Sequence, residues 1–414
     1  MTKIKVKVLV FALLFCGYTL EAQNNTDSPY TMYGYGKLAD KSFAAQRGMG
    51  GIGFGLRDAG KINPMNPASF SDVDSLTFMA ELGITGSYAK FSDGSNKSSL
   101  INGNVDYFAM QFRLFKNFGI GLGLEPVSYV GYKYYDDPYI PEDETYSISK
   151  YYTGSGGLSK VYGDLSYNFF NHLSLGVKFS YMFGDIVKTK NEVPTSGYTS
   201  IWSDTIRSSG ILYDLGLQYT HNLNRSEKLV FGAFFSPKQE FDAKVSGDLY
   251  RGGSQEDYYT STDSVFEMPM SVGFGITYNK IGKLTLGADV LYEKWSESRY
   301  FNNTGVLSDH LKFNAGVEYI PDINATTKLF QRIRYRAGLN YTNSYIKVGE
   351  KGYKAFGASI GLGFPMVDRR SFVNLAFEYS MLQPEVKTYV KEQYYRLTLS
   401  YTFNQAWFFK QKIQ

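Results

Sequence analysis

The chain has 414 residues, of which 43% are hydrophobic and 20% charged, and its formal net charge is +4. That charge is too small to argue for nucleic acid. The single cysteine, Cys16, lies in the N-terminal leader, which excludes thiol, disulfide and cysteine-based metal chemistry from the rest of the chain. The anomaly is aromatic: 36 Tyr and 31 Phe beside 3 Trp. Tyrosine in such excess suits surfaces that are apolar at one end and wet at the other, as at a membrane interface.

The first 22 residues read as an export signal. Lys3, Lys5 and Lys7 form a basic start, Val8 to Phe15 an apolar run, and Ala22 before Gln23 a cleavage point. Leu20 is larger than the residue usual at that place, and Phe15 argues against lipidation of Cys16. Loss of residues 1–22 removes three lysines and one glutamate and leaves a net charge of about +2. No later apolar run approaches the ~18–20 residues a membrane helix needs, so any crossing has to be made by strands.

Residues 23–75 form a separate region. They hold Gly48-Met49-Gly50-Gly51-Ile52-Gly53-Phe54-Gly55 and then Asn63-Pro64-Met65-Asn66-Pro67-Ala68, both resistant to regular structure. The glycine run lacks the preceding strand, following helix and Lys-Ser/Thr of a phosphate loop. A segment that must pack tightly and bend freely is the better reason for it.

From Leu76 to the C-terminus the chain alternates apolar and polar residues at period two. Leu173, Leu175, Val177, Phe179 and Tyr181 oppose Ser174, Gly176, Lys178 and Ser180. Near the end, Tyr395, Leu397, Leu399, Tyr401 and Phe403 oppose Arg396, Thr398, Ser400 and Thr402. This is the pattern of a strand with one face in an apolar medium. About fourteen such segments are expected, starting near Leu76, Leu100, Phe118, Gly157, His172, Gly210, Glu227, Ser264, Lys283, His310, Arg332, Lys351, Ser371 and Gln393. Short connections at 116–117, 170–171, 279–282 and 367–369 alternate with longer polar ones near 134–156, 184–209, 247–263 and 296–309.

Short turns on one side and long loops on the other are the arrangement of an all-β, transmembrane antiparallel barrel of the Gram-negative outer membrane. A soluble sandwich explains the alternation but not strands past ten residues with tyrosine at both ends. The expected organisation is therefore a leader at 1–22, an N-terminal plug segment at 23–75 and a barrel at 76–414.

The order of these motifs resembles the FadL/TodX family of outer-membrane transporters for hydrophobic compounds. The resemblance rests on the glycine run at 48–55, Asn66-Pro67-Ala68 and the strand count. The stretch Gly361-Leu362-Gly363-Phe364-Pro365, Val373-Asn374-Leu375, Glu378-Tyr379, Lys391-Glu392 and Trp407-Phe408-Phe409-Lys410 looks like the bacteroidete members. The resemblance implies a lumenal plug that includes Gly50, Gly51, Gly53, Asn66, Pro67 and Ala68. It also implies passive uptake of a hydrophobic, fatty-acid-like molecule and its lateral release into membrane lipid, beside an inward kink of the third strand. Glu125-Pro126 falls at that kink, since proline cannot donate to the strand ladder. An ordinary bulge is the other reading, because Pro237, Pro269 and Pro365 also fall in or near strands. The chain departs from many barrels in ending Phe409-Lys410-Gln411-Lys412-Ile413-Gln414 instead of on an aromatic residue. Some barrels resembling this family are accessory subunits of bacteroidete protein secretion, so a non-transporting role with a secretion-system partner is the alternative.

No enzyme chemistry is legible. His172, His221 and His310 lie in no local motif with a nucleophile, and no cluster has metal spacing, so neither a metal nor another cofactor is expected. Arg332, Arg334 and Arg336 alternate with Ile333, Tyr335 and Ala337, which points all three into the lumen. Two readings stand: they pair with interior carboxylates and anchor the plug, or they hold an anionic headgroup of a ligand.

Overall fold

The computed structural model describes residues 28–94, 96–139, 147–252, 254–261, 264–326, 328–349, 351–386 and 389–406. The leader at 1–22 and the run Trp407-Phe408-Phe409-Lys410 with the residues after it lie outside the described residues. The strands are β1 (Thr77–Ser92), β2 (Lys97–Phe115), β3 (Phe118–Tyr139), β4 (Ile148–Phe169), β5 (Leu173–Pro194), β6 (Ser200–Asn222), β7 (Glu227–Ser236 continued by Gln239–Arg251), β8 (Ser254–Ser261, Phe266–Met268 and Ser271–Lys280), β9 (Leu284–Glu293), β10 (His310–Tyr319), β11 (Arg334–Asn343), β12 (Tyr353–Pro365), β13 (Phe372–Pro384) and β14 (Lys391–Ala406). Each is antiparallel to its neighbours, and β14 returns to β1 from Lys391 opposite Ser92 to Ala406 opposite Thr77, which closes a barrel of 14 strands.

The outward face carries the apolar residues of the alternation. Leu82, Ile84, Leu122, Leu165, Phe179, Leu215, Phe231, Phe274, Leu286, Phe313, Leu339, Ile360, Phe377 and Leu397 are all exposed and circle the barrel. Aromatic residues edge this belt, with Tyr88, Tyr379 and Tyr395 in tilted ring contact near one rim and Phe115, Phe118, Tyr167 and Tyr219 near the other. A greasy belt between aromatic girdles is the outer surface of a barrel set in a bilayer. Phe170 and Asn171, at φ of 53° and 60°, make a tight primed turn at the short-turn end.

At the other end three strands begin earlier than the hydropathy pattern implies. β4 starts at Ile148, β6 at Ser200 and β8 at Ser254, so of the long loops expected near 134–156, 184–209 and 247–263 most of the described residues continue the sheet. The reason is physical: beyond the bilayer the backbone ladder still pairs, but water no longer selects apolar residues on the outer face. The polar stretch near 296–309 is a loop as expected, joining β9 to β10.

These extensions lean inward along one line. Pro126 marks a register shift in β3, Gly156, Gly157 and Gly184 take φ of 104°, 148° and 150°, and β7 and β8 break at Pro237 and Pro269. Above that line the inward faces bury Val130, Tyr132, Ile186, Ile206, Phe241, Val245 and Phe266 against Trp295, Tyr300 and Tyr345 from the loops. Tyr35 sits at the centre, its ring 5.1–6.2 Å from those of Tyr300, Phe241, Trp295 and Phe266. The result is a dome with its own apolar core over the barrel mouth.

Lys188 is caught in this dome, donating to the Met32 carbonyl at 2.8 Å. Burial pushes its pKa down from 10.5 to about 8. The folded dome therefore binds fewer protons than the open chain between those values, and its stability rises with pH across that window. Amide exchange of residues 28–38 should slow as pH rises from 8 to 10, after correction for intrinsic exchange. Lys188→Met should abolish that dependence.

Residues 28–76 fill the lumen from dome to turns. Ser28 donates to Glu392 at the dome end of β14 (2.6 Å), Lys37 and Leu38 pair with Tyr129 and Ser128, and Gln111 donates to the Phe70 carbonyl near the short turns (3.1 Å). Pro67–Ser71 is a 3-10 turn started by Pro67 and capped by Asn66, whose side chain accepts from the Ala68 amide at 3.1 Å. This explains the Asn-Pro-Ala motif. The wall makes room by glycine: a β-carbon on Gly232 would lie 1.8 Å from the Phe54 oxygen, and one on Gly338 2.0 Å from the Gly50 nitrogen.

Candidate functional site: a lumenal chamber beside an open strand edge

β2 and β3 pair only between Phe108–Phe115 and Leu124–Phe118. Above this, Lys97–Tyr107 of β2 pair with β1 alone, while β3 turns inward. Pro126 cannot donate, and the freed edge of β3 takes the plug instead: Leu38 opposes Ser128, Lys37 opposes Tyr129, and the Ala39 amide donates to the Val127 carbonyl at 2.9 Å. Glu125 accepts from Lys160 at 3.0 Å across β4. The kink at Glu125-Pro126 thus coincides with a break in the wall.

Two cavities flank this plug strand. A chamber of about 120 Å³ lies beneath the dome, walled by Leu38, Met65, Val127, Leu212, Met268, Leu291 and Trp295 together with a charged belt. A second cavity of about 60 Å³ opens along Asn102, Asn104, Asp106 and Tyr129 at the break. Leu38, Ala39 and Asp40 line both, so this plug strand is the partition between them.

The belt is a set of closed ion pairs. Lys41 meets Glu293 at 3.0 Å, Lys312 meets Asp40 at 3.2 Å, and Lys160 meets Glu125. Glu293 also accepts from the Trp295 indole at 3.1 Å and lies 3.0 Å from His310 Nδ1, whose Nε2 is 2.7 Å from the Thr342 hydroxyl. No group of three or more His, Cys, Asp or Glu among the described residues has the geometry to hold a metal.

The three arginines are not together at a pocket. Arg332 ends the helical turn Leu329–Arg332 and precedes β11. Arg334 and Arg336 point inward but away from the chamber, gripping the plug through one buried carboxylate. Glu318 meets Arg336 at 2.6 Å, Lys61 at 2.8 Å and Arg334 at 3.6 Å; Arg334 also meets Asp58 at 3.0 Å. Gly50 and Gly51, with φ of 71° and 85°, turn the plug, and the Gly53 and Phe54 amides donate to Asp289 at 2.5 and 2.9 Å. The amides a phosphate would use are taken by that carboxylate. Asn66, Pro67 and Ala68 pack against Gly176 and Gly216 of the wall.

Beyond Glu125 and the inward-facing Asp214, the belt residues escaped sequence reasoning. Glu293, Lys41 and His310 meet only through barrel closure, and His310 alone gave a signal, as a histidine starting a strand after a long loop.

Solved structures with this fold include a Pseudomonas aeruginosa FadL homologue (TM-score 0.60, 12% identity, 89% of this chain and 99% of that one). The Ralstonia pickettii toluene transporter TbuX aligns at TM-score 0.58 with 13% identity over 88% and 98%. The Pseudomonas putida toluene transporter TodX aligns at 0.54 with 15% identity over 90% and 100%. At such identities the likeness is one of fold. No curated protein sequence matches the chain. The family model described as BamG matches residues 1–414, its entire length, and the chain with this plugged barrel and broken third strand belongs to the BamG family.

Proposed function

We propose that the protein passes hydrophobic small molecules across the bacterial outer membrane without an energy source. It reaches that membrane by a cleaved leader. A solute settles in the chamber, the plug strand at Lys37–Leu38 shifts, and the solute leaves sideways through the β2–β3 break into lipid. The observation that carries the reading is the partition: two backbone pairs are all that the strand itself sets between an apolar-walled chamber and a break in the wall at membrane depth. The resemblance to hydrocarbon transporters supports it as analogy of fold. Leu38 and Ser128 oppose each other at the spacing of an antiparallel pair, which accepts a disulfide. The double variant Leu38→Cys/Ser128→Cys should lose uptake of a labelled hydrophobic solute when oxidised and regain it on reduction. Equal uptake in both states would remove the gate.

A second reading is an accessory barrel that binds a partner and transports nothing. The eleven-residue edge of β2, Lys97–Tyr107, lacks a strand partner on the β3 side, and open edges recruit strands from other chains. Recovery of a stoichiometric partner whose binding is lost on Val105→Pro would favour it; lipid recovered from the lumen would favour passage.

A further inference from the structure

The charge of the chamber belt narrows the class of molecule it takes. The lining holds four carboxylates, Asp40, Glu125, Asp214 and Glu293, against three lysines, Lys41, Lys160 and Lys312. Every lysine is committed: Lys41 to Glu293, Lys160 to Glu125 and Lys312 to Asp40. Asp214 has no hydrogen bond or ion pair of its own among the described residues: it opposes Lys178 of β5, whose amine goes to the Pro64 carbonyl at 2.7 Å, and it shares the field of Lys160, which is paired with Glu125.

The strand register shows where this carboxylate stands. Ser236, Ser271, Glu293 and His310 oppose one another in turn across β7 to β10 and form one polar rung. Asp214 extends that rung onto β6, next to Leu215, which opposes Phe235. Over the rung stand Leu212, Met268 and Trp295, which belong to the dome core. The chamber thus has an apolar roof over a belt in which four carboxylates face three lysines and His310, and Asp214 is the carboxylate of that belt without a hydrogen bond or ion pair among the described residues.

An anionic headgroup would meet only lysines already paired, and would have to break an ion pair in a poorly solvated space. A cationic head meets Asp214 without breaking anything, and an aromatic ring stands at the roof for the same charge to lie against. We propose that the chamber selects amphiphiles with a protonated amine head over those with a carboxylate, and that Asp214 is the residue that recognises the amine. This rests on the hydrophobic-passage reading and departs from the fatty-acid-like substrate that the family resemblance implies.

The test uses the full mature protein in phosphatidylcholine nanodiscs at low ionic strength, titrated calorimetrically with dodecylamine, dodecanol and dodecanoate, with empty nanodiscs subtracted. The amine should bind about ten-fold tighter than the alcohol, as one charge-assisted contact implies, and the carboxylate weakest. Asp214→Asn should bring the amine to the level of the alcohol and leave the alcohol unchanged; the alcohol also reports that the variant is folded. Dodecanoate binding as tightly as the amine, or amine binding indifferent to Asp214→Asn, overturns the assignment while leaving hydrophobic passage intact. Failure of all three compounds to bind overturns the passage reading itself.

Discussion

Leucine at Gly316 and Gly338 should convert a closed barrel into a conducting one. Both glycines face the lumen from β10 and β11 and oppose each other across the ladder. A β-carbon at Gly316 would lie 2.1 Å from the Met49 oxygen, and one at Gly338 2.0 Å from the Gly50 nitrogen. The atoms met are plug backbone, which has no rotamer to yield. Gly50 also holds φ of 71°, so the turn cannot re-form elsewhere cheaply. Overpacking a fitted interior costs about 1–3 kcal/mol per site, and a whole leucine against backbone belongs at the top of that range or beyond it. The barrel closes through its own strand ladder, from β14 back to β1. Single-channel recordings should therefore show conductance at least about ten-fold above the parent's, with folded-barrel mobility on unheated gels retained. Gly86→Leu is the control, since nothing lies within 4 Å of a β-carbon there, and it should change neither property. Unchanged conductance in the double variant would show that the dome alone seals the mouth.

The second large effect concerns Glu318. One carboxylate, 2% exposed, serves Lys61 of the plug and Arg334 and Arg336 of the wall. Removing it leaves buried cations without their shared partner, a change that costs about 3–5 kcal/mol where such pairs are broken one-sidedly. The loss falls on the plug, because Glu318 ties Lys61 to the wall, whereas the other partner of Lys61, Asp58 at 3.1 Å, is itself a plug residue, so that Arg334–Asp58 at 3.0 Å is the link that stays. Glu318→Ala should expose residues 28–76 to added protease while the strands stay resistant. Glu318→Gln should do so less, since it keeps one of the two acceptor oxygens that Lys61 and Arg336 use. If the plug of Glu318→Ala resists protease as the parent does, the arginine pair is an ornament of the wall and its anchoring role is lost.

The division of labour between sequence and fold follows from what each kind of residue answers to. Alternation at period two reports the medium on each face of a strand, and lipid imposes it locally. The membrane-spanning parts of β1, β5, β13 and β14 were therefore legible from Leu82, Phe179, Phe377 and Leu397 and their polar neighbours. Once strands leave the bilayer that pressure ends, and the upper parts of β3 to β8 read as loops although they are sheet.

The glycine run and Asn66-Pro67-Ala68 were legible as special backbone for a related reason: positive φ and a capped turn restrict residue type at the position itself. What Arg334 and Arg336 do was undecided in the sequence, because alternation gives the direction of a side chain and not its partner. Glu318 and Lys61 come from 16 and 273 residues before Arg334, and only closure of the barrel around the plug brings them together. The chamber is the extreme case. Lys41, Glu125, Asp214, Glu293 and His310 belong to five separate stretches, and their charges balance or fail to balance only in three dimensions. The sequence by itself determined that the chain makes a membrane barrel of about fourteen strands; tertiary contact alone decided which interior charges meet and which are spent on structure.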